Sequence, residues 1–226
     1  DYNSKIIKKN LNLSKINYFV IGKRKKTTTK TRYFINDHQI FRDDNEVLKN
    51  AKIDKSFLSR INRNDIVIIS DYKKGVVYKN LHSDLMRKNC ITFVDPKNEP
   101  NFYKNAFLVK PNLKKFEEWC GKFTKLRAFD LLKEMNWNWL IITCGNKGVH
   151  VFGKNNLYNF YNIKKVKNPN VVGAGDIFFA GLIHMMLKGN DVFTSAELAS
   201  YASSKLVRVS YDRLLKNKDF KKKLVF

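Results

Sequence analysis

Four short, unbroken apolar runs constrain this chain more than any other feature. They lie within Asp65–Ser70, Ile91–Val94, Ala106–Val109 and Trp139–Thr143. None shows an apolar/polar alternation, so each predicts a strand covered on both faces. Polar residues close them: Ser70-Asp71, Asp95-Pro96, Lys110-Pro111-Asn112 and Thr143. Between and after them the pattern predicts helices over about 76–89 and 113–136, then Gly175–Leu187 and Thr194–Val209. Strand–helix alternation of this kind predicts an α/β fold with a mainly parallel sheet and helices on both faces. Ligands of such sheets bind at the carboxyl ends of the strands, where the polar residues cluster here.

The flanking segments read differently. Residues 2–14 predict a helix with a partial apolar face of Ile6, Ile7, Leu11 and Leu13, and a further helical stretch falls at about 46–60. Tyr18–Ile21, Thr28–Ile35 and Gln39–Arg42 predict strands, and Asn36-Asp37 is a hairpin-turn signal. The alternation in Thr27–Arg32 fits a two-sided, partly exposed strand rather than a core one. Gly145 and Gly148 turn the chain into a hairpin of residues 149–152 and 157–162. No repeat or Pro/Gly/Ser linker divides the 226 residues, which read as one domain. No apolar run approaches the ~20 residues of a membrane span, and the first residues carry no export signal.

The formal charge is +24, from 44 Lys and Arg against 20 Asp and Glu. Such a balance invites a nucleic-acid reading. However, 35 of the 44 are Lys, and the Arg favoured for bidentate readout is scarce. The lysines are dispersed, with short clusters only at Lys23–Lys26 and Lys221–Lys223. The expectation is a solvated basic surface with weak polyanion binding and no specific nucleic-acid partner. Cys90, Cys120 and Cys144 show no CxxC spacing, which fits buried thiols in a reducing, cytoplasmic setting. The four histidines form no metal-ligand pattern, and His184 falls in an apolar helix pattern as a structural residue.

The sharpest local signal is Gly173-Ala174-Gly175-Asp176 entering an apolar helix. Glycines let backbone approach a phosphate, and a helix N-terminus favours an anion. A carboxylate beside that anion could take the proton of an attacking hydroxyl. Spacing alone equally allows Asp176 to be a helix N-cap. No Gly-Lys-Ser/Thr follows, so this is not a Walker A loop.

Those four residues resemble the signature of the ribokinase-like (PfkB) sugar kinases. Further stretches, in order, resemble the kinase domain of heptose 7-phosphate kinases of ADP-heptose and lipopolysaccharide-core biosynthesis. They are Thr29–Arg32, His38–Arg42 with Asp44 and Glu46, Ser70–Gly75, Val94–Lys97, Lys110–Leu113 with Phe116 and Glu117, and Thr143–Gly145 with Lys147 and Gly148. The resemblance spans about residues 1–210. It implies a three-layer α/β/α domain over 1–226 with a small β-lid (about 17–43) and a nucleotide-binding half (about 110–210). The family's first strands, with a sugar-binding Asp and a Gly-Gly motif, have no counterpart here.

The resemblance also implies roles. Asp176 matches the catalytic base, and Gly173, Ala174 and Gly175 the anion hole. Asn112, Thr143, Gly145 and Gly148 match the nucleotide site. Lys30, Arg32, Lys74 and Lys97 are candidate cations for the substrate phosphate, each of which equally reads as a solvated surface residue. ATP with Mg²⁺ and a sugar phosphate are the implied ligands, with no metal ligand assigned. A homodimer through the lid and a fused nucleotidyltransferase domain are family possibilities that the residues leave open. Two departures stand out. Lys115 occupies the Glu position of the family's Asn-x-x-Glu motif, and Asn170-Val171-Val172 replaces an Asp-x-Thr. They favour an alternative, a degenerate kinase fold that binds without catalysing.

Overall fold

A computed structural model describes residues 1–20, 26–35, 38–46, 55–163 and 173–207. The expected Asn36-Asp37 turn, Asn170–Val172 and both short lysine clusters, except Lys26, lie outside the described residues. The chain divides into two compact units, Asp1–Arg63 with Lys73–Tyr78, and Asn64–Tyr72 with Lys79–Phe226.

In the first unit, helix α1 (Tyr2–Leu13) begins at a capping box in which Asp1 accepts from the Ser4 amide at 2.8 Å. The same carboxylate binds the amide and hydroxyl of Thr27, tying the helix start to the approach of the strands. Strands β1 (Thr29–Ile35) and β2 (His38–Asn45) form an antiparallel ribbon with an irregularity at Tyr33/Phe34. Residues 18–20 are not a strand, and only Lys55–Arg60 of the expected 46–60 helix is helical among the described residues, as a 3₁₀ turn.

The second unit holds a six-stranded sheet in the order β3 to β8: Ile66–Ser70, Ile91–Asp95, Leu108–Val109, Trp139–Thr143, Val149–Gly153 and Leu157–Tyr161. The first four strands are parallel, and the last two add antiparallel hairpins. All four apolar runs are the expected parallel strands. Helices α2 (Leu81–Met86), α3 (Leu113–Cys120), α4 (Lys125–Glu134), α5 (Ala174–Leu187) and α6 (Val192–Leu206) complete the unit.

Both faces are buried at the central strands β4 to β7, whereas edge strand β3 departs from the expected double cover, with Ile66 and Ile68 exposed. Phe93, Leu108, Ile141, Val149 and Val151 pack with Phe178, Phe179, Leu182 and Ile183 of α5 and with Ala196 and Ala199 of α6. Their strand neighbours Val94, Val109, Leu140, Ile142 and Phe152 are fully buried too, while α3 and α4 contact β6 and α4 also contacts β7. This is the helix–sheet–helix layering expected from the runs.

Two expected helices are shorter than their patterns. The 113–136 stretch breaks at Gly121, whose φ of +73° turns the chain between α3 and α4. Glu117 holds this turn, its side chain accepting from the Phe123 amide. The 76–89 stretch is helical only over α2; residues 76–78 belong to the first unit. Among the described residues no helix is long and apolar enough to cross a membrane.

Gly153 pairs with Trp139 across β6 and β7, and a Cβ there would sit 2.6 Å from the indole ring. Gly153→Ala should therefore cost about 1–3 kcal/mol by overpacking, read as a lower urea midpoint. Buried His82 hydrogen-bonds Thr92 at 2.7 Å, and desolvation lowers its pKa to about 4. The unfolded chain binds this proton near pH 6.5, while the folded chain takes it up only near 4. Stability should thus fall as pH drops through that window, by on the order of 3 kcal/mol. Urea titrations at pH 7 and 4.5 should show a smaller loss in His82→Gln.

Candidate active site

The parallel register sets the site. Ser70 pairs with Asp95, and Val94 with Val109. Asn112 bridges Thr143 one step beyond. Each of the four parallel strands therefore delivers the polar residue that closes it to one edge of the sheet.

At that edge lies a cavity of about 200 Å³ lined by Asp71, Tyr72, Asp95, Lys97, Lys110 and Asp176, together with Ser70, Asn112, Thr143, Gly173 and Gly175. Helix α5 opens into it. Gly173 is the N-cap in a left-handed conformation (φ +73°) and supplies no capping side chain. The first amides of the helix are thus available to an anion. Asp176 stands in the first turn, not at the cap. Its Oδ1 accepts from the Tyr72 hydroxyl at 3.4 Å. Partial burial and the Asp176 charge raise the Tyr72 pKa.

A second cavity of about 310 Å³ shares Asn112, Thr143 and Gly175 with the first. Gly145, Gly148, Val149, Ile163, Phe178 and Val207 give it a largely apolar wall, and Ser203 and Ser204 add hydroxyls. Asn112, Thr143, Gly145 and Gly148 are thus brought together, and Gly173, Ala174, Gly175 and Asp176 flank them on α5. Gly148 has little freedom to change: its φ is +115°, and a Cβ would lie 2.2 Å from the Tyr161 carbonyl oxygen. The Asn112 side-chain oxygen caps α3 by accepting from the Lys115 amide at 2.8 Å. The half-buried Cys144 thiol is pushed up to about 11 by desolvation.

The expected phosphate cations are distributed over both units. Lys97 lines the polar cavity. In the first unit, Lys30 lies 3.7 Å from Asp44 and 3.6 Å from Glu46, and Lys74 pairs with Glu46. Arg32 stands opposite Arg42 on the ribbon, and Arg42 is bound to Asp44 at 2.9 Å. Lys115 lines neither cavity. Its ammonium turns to Glu118 at 3.2 Å and Glu99 at 3.8 Å. The Lys115 charge is therefore paired with Glu118 on α3 and with Glu99, which precedes the helix in the chain.

Sequence reasoning did not single out Lys110, whose buried ammonium lies 3.0 Å from Asp95 Oδ2. Burial raises the Asp95 pKa, and the Lys110 charge opposes that rise. It also missed Ser203, Ser204 and Val207, which line the second cavity from the end of α6. Ala199 and Ala202 are core residues, and Ser200 back-bonds to Ala196. A helical-phase reading of α6 could have found the lining residues.

The cavity is braced by buried Asp71, which accepts from Asn98 Nδ2 at 2.8 Å and from the Tyr103 hydroxyl. That hydroxyl in turn accepts from the Asn98 amide at 2.9 Å and the Lys97 amide at 3.2 Å. Among the described residues no group of three or more His, Cys, Asp or Glu side chains could hold a metal. With Asp95 bound to Lys110, the described residues do not build a resident metal centre.

The profile of the family described as pfkB family carbohydrate kinase matches residues 1–218. The bifunctional protein HldE of a Nitratiruptor species is 30% identical over 202 residues, covering 84% of this chain and 43% of its own. The chain thus spans less than half the length of that relative. Ribokinase from Thermotoga maritima superposes with a TM-score of 0.70 at 19% identity, over 90% of this chain and 70% of its own. A putative ribokinase II from E. coli in complex with ATP and Mg²⁺ gives 0.63 at 16% identity, over 81% and 65%.

Tyr103→Phe removes a buried hydroxyl that serves Asp71 and two amides. It should lower stability by about 1–3 kcal/mol, measured by chemical denaturation, since the partners are left short of a hydrogen bond.

Proposed function

Because the chain belongs to the pfkB family of carbohydrate kinases, we propose that it transfers the terminal phosphoryl group of ATP to a hydroxyl of a sugar phosphate, with a heptose 7-phosphate as acceptor. One observation carries the reading. The Gly173–Asp176 turn opens α5 between a polar cavity and a largely apolar one that share Asn112, Thr143 and Gly175. The apolar cavity suits a nucleotide base, and the polar one suits the reacting phosphate and acceptor. The heptose assignment rests on the HldE relative.

In this reading Asp176 takes the proton of the attacking hydroxyl. The acceptor oxygen bonds to the terminal phosphorus, the bond from that phosphorus to its bridging oxygen breaks, and ADP leaves. Amides of the first turn of α5, at Ala174 and Gly175, face the charge developing on the phosphoryl oxygens. Mg²⁺ enters only as a counter-ion of the ATP phosphates, and no step is assigned to it. The β1–β2 ribbon is assigned the sugar-lid role, with Lys30, Arg32, Lys74 and Lys97 as candidate contacts for the substrate phosphate. Residues 1–226 are read as part of one kinase domain acting in the cytoplasm, and the ribbon as the contact of a homodimer.

Lys115 at the family's Glu position favours a second reading, a kinase fold that binds nucleotide without turnover. Calorimetric titration with ATP at 0.15 M salt, with pyrophosphate as control, tests the site. Saturable binding that pyrophosphate cannot match is expected; equal binding would sink both readings. Asp176→Asn should lower phosphoryl transfer about 10²–10⁴-fold while ATP affinity stays within about threefold. A wild-type chain that binds ATP but transfers nothing to sugar phosphates would select the second reading.

A further inference from the structure

Lys110 follows β5 at the carboxyl edge of the sheet, and its side chain is only 4% exposed. Its amide donates to the Val94 carbonyl at 2.8 Å, so the start of its stem is set by strand pairing. The ammonium lies 3.0 Å from Asp95 Oδ2 and donates to the Gly175 carbonyl at 3.4 Å. The ring of Phe179 lies 5.4 Å from it on the helix that begins at the glycine turn. An ammonium carries three donors. Asp95 and Gly175 engage two, and the third has no hydrogen-bond partner in the protein among the described residues.

A buried cation is costly unless its donors are filled, and charged oxygens fill them best. Lys110 shares its cavity with Gly173, Gly175 and Asp176, and so lies beside the amides that open α5. Among the described residues no other cation of the second unit shares that placement with so little solvent. Lys97 also lines the cavity, but it is exposed.

We propose that Lys110 binds the terminal phosphate of the nucleotide, with Asp95 as its resident counter-ion when that phosphate is absent. The inference rests on the kinase reading and adds to it a catalytic residue. Lys110 neither gives nor takes a proton. It offers fixed positive charge to the oxygens of the group in transit, while the acceptor proton goes to Asp176. Asp95 holds the ammonium in place between turnovers.

The competing role for Lys110 is only to neutralise Asp95, and charge-balanced variants separate the two. Lys110→Met alone strands a buried carboxylate and should lower the thermal midpoint. Adding Asp95→Asn should restore it, since both charges are then gone. ATP and ADP are titrated calorimetrically into wild type, the double variant and Asp95→Asn, at 0.15 M salt. Wild type should prefer ATP. The double variant should lose about tenfold or more in ATP affinity while its ADP affinity stays within about twofold. Asp95→Asn alone should bind ATP as tightly as wild type or tighter, because a competing carboxylate has been removed.

A double variant with wild-type ATP affinity overturns the inference. So does a wild type with no preference for ATP over ADP. Should the double variant fail to fold, Lys110→Gln with Asp95→Asn is measured in its place, and wild-type ATP affinity there overturns the assignment. A wild type that binds neither nucleotide overturns the kinase reading itself, and the inference falls with it.

Discussion

Parallel pairing of central strands whose two faces are both buried is the constraint on which the rest of the structure depends. Val94, Val109, Leu140 and Ile141 have no exposed surface, so no polar side chain of these strands could be tolerated along their length without a partner. Polar chemistry is displaced to the strand ends. Parallel register then gathers those ends along one edge, and α5 adds its amino-terminal amides there. The site is thus a consequence of core burial as much as of any single motif.

Charge at this edge is managed by pairing. Asp71, Asp95 and Lys110 are largely withdrawn from water, and each is held by named partners. Asp71 is fully engaged in bracing the loop of Asn98 and Tyr103. Lys110 and Asp95 form a pair whose desolvation cost is large, and such a pair is weak evidence for stability on its own. Its placement against the Gly175 carbonyl and beside Asp176 is better explained by work on an anion than by folding. Lys115 illustrates the opposite outcome. Its charge is answered by Glu118 and Glu99, and it lines neither cavity.

Much of the fold was legible because unbroken apolar runs admit few structures. Trp139–Thr143 matches its strand to the residue, and Ile91–Val94 falls short of β4 by only Asp95. The helices were less legible where breakers are weak: Gly121 divides 113–136 through one left-handed residue, a choice local periodicity does not register. Spacing alone could not say whether Asp176 was a cap, because that depends on where the first helical hydrogen bond falls. The Ile177 amide bonds the Gly173 carbonyl, which places Asp176 inside the first turn.

By itself the sequence determined the α/β class, the strands, the glycine turn ahead of α5 and the family resemblance, because these depend on local composition and order. Only the tertiary structure decided which residues share a cavity. Lys110 and Gly175 are 65 positions apart, Tyr72 and Asp176 are 104 apart, and Ser203 shares a cavity with Asn112 only after α6 has packed. Such distances in sequence carry no local signal. They are set by strand register and helix packing, which arise from burying the core as a whole.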